Sequence, residues 1–351
     1  MMAKRTGKKT AGALAGIAAL LVVGLISASA AASTGQVIKL ATLVPDRSVW
    51  GNPLREMGAA WKEQTAGRIS LRIYPDGIAG DDIAMVRKMR IGQLHAATMT
   101  IAGLTEIDPA FSVFAIPLFF STDDELLHVL RKLEPELRRR LEDKGFVLLH
   151  WGHGGWLHLF STKKVRTVDD FKTVKFFVWA GDDRMVRWWK DSGFRPVALA
   201  FTDIMPSLQT GVIEALPSTP LAALSLQWFN SAPNMLDLRL APLVGATVMT
   251  SRAWKKISSA DQRIVLNTAR KAEVKLFNDI PPKDLVALSE MQKRGLAVTV
   301  VTGTPMESGW RDLALRFAER MRHSVVPPEI LDAALREREA YRNQLATPPQ
   351  S

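Results

Sequence analysis

Hydrophobic and polar positions along this chain switch repeatedly between a period of two and a period near 3.6. Strict alternation over Ile69-Ser70-Leu71-Arg72-Ile73-Tyr74 predicts a half-buried strand, and Pro75-Asp76-Gly77 predicts the turn after it. Apolar runs at 37–41, 95–100, 146–151, 157–161, 174–179, 195–199 and 296–301 predict further strands. Helical spacing predicts a helix over 50–64, with Leu54, Met57 and Trp61 on one face. A longer one is expected over 123–144, with leucines at 126, 127, 130, 133, 137 and 141. Gly80-Asp81-Asp82 starts a helix to about Arg90, and shorter helices are expected over 182–191 and 203–209. Residues 258–294 form a near-continuous helical pattern, roughly 50 Å long if unbroken, with Pro281-Pro282 as a point of kinking. Two helices close the chain before Thr347-Pro348-Pro349.

Strands alternating with helices define the α/β class, and the pattern runs twice, predicting two α/β domains with mostly parallel sheets. A length of 351 residues suits two domains. The expected division is a signal peptide at 1–32, a first domain of 36–152 plus 245–280, and a second of 153–244 plus 281–346. The 258–294 helix would brace both. Gly152-His153-Gly154-Gly155 reads as a flexible crossover between them.

With 47% hydrophobic and 23% charged residues the composition is that of a globular protein, which excludes wholesale disorder and coiled coil. The absence of cysteine excludes a disulfide framework, a thiol nucleophile and cysteine-ligated zinc. The formal charge of +11 is partly a matter of the N-terminus. Lys4, Arg5, Lys8 and Lys9 precede an apolar stretch from Ala11 to Ile26 and the small residues 27–32. That is an export signal, with cleavage expected near Ala30 to Ala32; the alternative is an uncleaved anchor. Removing it takes away four positive charges, 11 − 4 = +7, and places the protein in the periplasm. The densest basic run, Arg138-Arg139-Arg140, is interleaved with Glu134, Glu136, Glu142 and Asp143, as on a solvated helix face. No basic run alternates with aromatic residues, so nucleic acid is not an expected partner.

Catalytic patterns are sparse. His150, His153 and His158 fall within nine residues, but no carboxylate stands beside them in sequence. The chain has no P-loop, G-x-G-x-x-G, G-x-S-x-G or H-E-x-x-H pattern. No enzyme activity, cofactor or metal is expected. The default ligand site is then a cleft between the domains.

The order of several short segments goes further. These are Tyr74-Pro75-Asp76-Gly77 with Gly80-Asp81-Asp82, Ile91-Gly92-Gln93-Leu94, and Phe114-Ala115-Ile116-Pro117-Leu118-Phe119. They continue with the 160–165 run Phe-Ser-Thr-Lys-Lys-Val, with Asp169-Asp170-Phe171-Lys172, and with the 208–214 run Leu-Gln-Thr-Gly-Val-Ile-Glu. In this order the chain resembles the DctP-like substrate-binding subunits of tripartite ATP-independent periplasmic (TRAP) transporters, over about 36–341. The resemblance implies two α/β domains around a hinged cleft, a long bracing helix, and delivery of a small molecule to membrane permease subunits.

Such proteins usually hold a substrate carboxylate with an arginine on the strand after the D-L-K-G segment, a pairing that suits a planar guanidinium. Here Phe177 takes that position, Leu157 stands at the second arginine twenty residues earlier, and Ser218 stands near a ligand-contacting asparagine. An unpaired carboxylate in an apolar cleft costs several kcal/mol, so the expected ligand is neutral or largely apolar. Expected ligand-binding residues are Phe177, Leu157, Trp179, Ser218, Phe201, Thr100, Trp50 and Trp156, with Phe176 and Trp228 nearby. On this reading Phe177→Arg acts on binding more than on folding. One alternative keeps an organic acid, held by a displaced cation such as Lys175 or Arg184. Another is an exported enzyme built on His150, His153 and His158.

Overall fold

The structure, a computed structural model, describes residues 35–181 and 183–346, with the side chains of Arg184 and His323 left out. The export signal, Asp182 and the last five residues lie outside the described residues. The strands are β1 (Gln36–Thr42), β2 (Ile69–Tyr74), β3 (Ala96–Thr100), β4 (Phe146–Ser161), β5 (Lys175–Trp179), β6 (Arg195–Leu199), β7 (Ala215–Ser218), β8 (Asn234–Thr250) and β9 (Ala297–Val300). The helices are α1 (Gly51–Gln64), α2 (Asp82–Arg90), α3 (Ile101–Ile107), α4 (Asp123–Asp143), α5 (Val168–Thr173) and α6 (Asp183–Asp191). They continue with α7 (Ile204–Gln209), α8 (Pro220–Ser225), α9 (Ser251–Trp254), α10 (Ser259–Lys293), α11 (Glu307–Ser324) and α12 (Pro328–Ala346).

The α/β class and the two-lobed plan hold, but the sheet differs from two parallel ones. Its strand order is β2-β1-β3-β8-β4-β7-β5-β6, with β9 beside β8. Parallel pairs lie toward the edges, such as β1 with β2 and β5 with β6. The centre is antiparallel, because β4 and β8 pair along most of their length and serve both halves. β4 joins two strands expected to be separate. Gly152 to Gly155 lie inside it, so the glycine run is strand interior rather than a loop. The ladder shifts register between His153 and Trp156, where the extra backbone is absorbed.

Each half has its own core. Ile38, Leu40, Leu54, Met57, Trp61 and Ile69 are buried together with Val265 and Ala269 of α10. The Trp61 indole N–H donates to Thr268 Oγ1 at 2.7 Å, so the largest side chain of this core is also satisfied. In the second half Phe160, Ile204, Leu208 and Leu216 are buried with Met291, near the other end of α10. One helix thus packs into two cores, which is why its sequence lacks a single apolar stripe. Glu273, 2% exposed, fixes it midway. Its Oε2 accepts the Trp151 N–H at 2.9 Å, and its Oε1 pairs with Arg131 of α4 and Arg270.

Candidate ligand cleft

The loops leaving β2 and β5 and the turn after β6 bring the halves together. Gly181 has φ +97°, and a β-carbon there would collide with Ile83 of α2. A β-carbon on Gly77 would lie 3.7 Å from Thr202 Cγ2. The mouth is therefore in contact from both sides. Half-buried Trp179 and Phe201 pack against the large cluster built around α3 and α4 and also against the second-half core. Their rings are nearly parallel, 9° apart in plane with centroids 6.3 Å apart.

Of the other expected site residues, Phe177 meets Trp179 edge-on at 5.1 Å. It is 4% exposed and belongs to a buried cluster drawn wholly from 160–235 and 291–296. Phe176 points to the opposite face of β5, against Phe171 at 4.6 Å. Trp228 is buried, with an edge contact to Phe201 at 5.7 Å. Leu157 is half-buried on β4 opposite Ala241. Ser218 is buried at the end of β7, its hydroxyl donating to the Thr219 carbonyl at 3.1 Å. Trp50 sits just before α1, half-buried beside a small cluster of Leu221, Leu276, Ile280 and Ala287. Its indole N–H is enclosed without an acceptor among the described residues. Trp156 stands apart, in the β4 crossover, donating its indole N–H to Asp123 Oδ1 at 3.0 Å.

Thr100 caps α3 and brings with it a residue the sequence reading had placed only at a helix start. Asp81 does cap α2, accepting from Ala84 N at 2.8 Å, but Asp82 turns inward and is 1% exposed. Its Oδ2 accepts the Thr100 hydroxyl at 2.5 Å and the Thr100 N–H at 3.2 Å. Burial pushes its pKa up to about 6, against those hydrogen bonds. The fold therefore binds this proton more tightly than the unfolded chain, whose aspartates titrate near 4. Stability from Asp82 is present below about pH 4 and is lost as pH rises through about 6. Asp82→Asn should reduce the gain in stability between pH 7.5 and pH 5 by about 1.3 kcal/mol. Paired thermal melts read this as a difference of slopes; parallel slopes would refute it.

The three histidines do not converge. His150 Nδ1 lies 2.8 Å from the Trp151 carbonyl, and burial pushes its pKa down. His153 stacks on Phe277 and lies 3.0 Å from Asp123 Oδ1. His158 lies 3.6 Å from Asp237, and burial again lowers its pKa despite that charge. Among the described residues no group of three potential ligand side chains could hold a metal ion. The His150, His153 and His158 enzyme is set aside, because one continuous strand gives each ring a different structural partner. As for a displaced cation, the Lys175 ammonium donates to the Gly211 carbonyl at 2.5 Å. The Arg184 side chain lies outside the described residues.

Two further carboxylates escaped the sequence reading, Asp123 and Asp284. Asp284 had a visible signal. It interrupts the apolar series Ile280, Ala287 and Met291 on the buried side of α10.

Two α/β lobes in contact across a mouth, with aromatic side chains between them, define a small-molecule binding protein of the hinged type. The chain belongs to the bacterial extracellular solute-binding protein family 7, whose DctP model matches residues 40–315. These are substrate-binding proteins of TRAP transporters, which work with membrane permease subunits and are not enzymes. A solute-binding protein of Roseobacter denitrificans is 24% identical over 309 residues, covering 86% of this chain and 92% of its own. The sialic acid-binding periplasmic protein SiaP of Vibrio cholerae is 19% identical over 306 residues, covering 86% and 94%. A TRAP periplasmic solute binding protein of Sulfitobacter with bound β-D-galacturonate matches the fold with a TM-score of 0.79 at 17% identity, covering 87% and 100%. The ligands named for these last two are acids, which runs against the expectation of a neutral or apolar one.

Among the described residues no helix is long and apolar enough to cross a membrane.

Proposed function

We propose that this protein captures a neutral or largely apolar small molecule between its lobes and passes it to TRAP permease subunits. The observation behind this reading is the Trp179–Phe201 pair at the junction of the lobes. Of the two positions that the resemblance gives to arginines, one holds Phe177, buried in the second-half core, and the other Leu157, so neither supplies a guanidinium to the junction. A small carboxylate there would lose its hydration without gaining a guanidinium, a cost of several kcal/mol. The enclosed Trp50 N–H offers one donor to an uncharged acceptor on the ligand. The moving bodies are 36–152 plus 245–280 and 153–244 plus 281–346. Export with cleavage near Ala30 to Ala32 places the protein in the periplasm.

Mass spectrometry of the ligand co-purified with native protein tests this most directly. A thermal-shift screen of dicarboxylates, keto acids and sugar acids is expected to give little stabilisation, since stabilisation follows RT ln(1 + [L]/Kd). A shift at micromolar concentration of any of them would sink the reading. It would favour the alternative, an organic acid held by a displaced cation. The acids named for the Vibrio and Sulfitobacter proteins are the observation in favour of that alternative.

A further inference from the structure

On the domain division proposed above, three elements cross between the lobes side by side: β4 near 152–156, β8 near 242–245 and α10 near 280–284. At the crossing, Pro281 and Pro282 remove two backbone donors from α10. The carbonyls of Phe277 and Asn278 lose their usual helical partners there. Close behind, Asp284 turns into the structure and is 8% exposed. Its Oδ1 accepts the N–H of Leu221, in the first turn of α8, at 2.8 Å. Its Oδ2 reaches the Trp156 N–H at a long 3.4 Å. Trp156 is thereby held by its backbone from α10 and by its indole from Asp123 of α4.

Asp284 has no ion-pair partner among the described residues. The charged and titratable groups around it are His153 on β4, Asp123 on α4 and, across the Trp156 ring, Arg239 on β8 at 5.4 Å from the ring centroid. Lys283, next to it on α10, pairs with Asp279. A buried carboxylate with one good hydrogen bond, one long one and no counter-charge is costly to ionise.

We propose that Asp284 is a positioning residue for closure: ionised, it biases the empty protein toward the open form, and protonation favours the closed one. The inference rests on the hinged reading of the proposed function. In the closed arrangement burial pushes the Asp284 pKa up to about 6, and the charge of Asp123 adds to this. Leu221 and Trp156 belong to the same lobe as Asp284 and keep their hydrogen bonds to it on opening. What opening lifts is the first lobe's cover, Trp50 against the Leu221 cluster and Asp123 beside Trp156. Water admitted there returns the pKa toward the ordinary carboxylate value near 4. The state that holds the proton more tightly gains population as pH falls. Asp123 does not titrate in the same window. Burial works against its charge, but hydrogen bonds from His153 and Trp156 hold its pKa below the usual range.

The chain has no cysteine, so two can be placed cleanly for spin labels. Ile78 and Asp203 are exposed on either side of the mouth. Electron–electron distance measurements on the unliganded Ile78→Cys, Asp203→Cys protein would compare pH 7.5 with pH 5.5. The closed-to-open ratio should rise about fourfold on acidification, the change expected for a pKa moving between about 4 and about 6. Asp284→Asn should abolish the change. Asp123→Asn should keep it but move its midpoint to lower pH, because a repelling charge has gone; this variant decides the matter if Asp284→Asn fails to fold. A ratio that ignores pH, or moves toward the open form in acid, would overturn the proposal. So would an equal response in Asp284→Asn, which would place the switch at another group. A single distance in every sample, with and without co-purified ligand, would sink the hinged reading and this inference with it. Two populations insensitive to pH would sink only the inference.

Discussion

Phe177→Arg is expected to unfold the second lobe rather than to trade one ligand for another. The ring is 4% exposed, and every buried residue of its cluster comes from that lobe, so opening the mouth does not wet it. The substitution removes roughly 1.5–3 kcal/mol of apolar burial. It also leaves a guanidinium in packed hydrocarbon without a partner, at a cost of about 3–5 kcal/mol. The sum rivals the 5–15 kcal/mol that holds a typical domain together. Phe177→Leu keeps the hydrocarbon and should cost only about 1–2 kcal/mol, which separates lost packing from buried charge. Circular dichroism melts on both variants, with mass spectrometry of any co-purified ligand, give the answer. If the arginine variant melts near the wild-type temperature but loses its ligand, then the ring lines the cleft, and the expectation from sequence was the better one.

Phe177 shows what the sequence could reveal and what it could not. Phe177 was found by its place in a linear motif, and β5 does form there. Which neighbours its face meets depends on α7 and on the α8 region, and their approach is not written in any local pattern. Trp179, two residues on and on the same face, reaches the junction of the lobes instead. The long elements were legible because their periods were long. α4 shows its leucine face, and α10 runs within a residue at each end of the predicted span. The centre of the sheet was not legible. β8, seventeen residues long, was missed altogether, and β4 was read as two strands. Both are buried on two faces for much of their length, so they show no alternation. The glycines of β4, and Pro242 and Gly245 of β8, imitate the punctuation of a loop. Asp82 was overlooked for a related reason. Carboxylates at helix starts are ordinarily exposed, and only the tertiary structure turns this one inward, whereas Asp284 carried the signal of its apolar neighbours on α10.

The glycine run that suggested a loop leads to the second large effect. Gly155 lies inside β4 with φ +101°, a region that residues with a β-carbon adopt at a cost of about 1–3 kcal/mol. A β-carbon there would stand 2.6 Å from Asp284 Oδ2, 2.9 Å from its Cγ and 3.1 Å from Oδ1. The carboxylate is fixed by the Leu221 and Trp156 N–H groups and has no free side to swing toward. Gly155→Ala must therefore strain the strand and also break the hydrogen bonds of a buried acid, each worth about 1–3 kcal/mol when left unmade. A total near 4 kcal/mol is expected, severe for the addition of one methyl group. A double-mutant cycle in urea tests the cause. With Asp284→Ala already present, the collision is gone, and Gly155→Ala should cost only the backbone strain of about 1–3 kcal/mol. The coupling between the two positions should exceed about 1 kcal/mol. Strict additivity would mean that backbone conformation alone demands glycine at 155, and that the acid beside it plays no part in excluding a side chain.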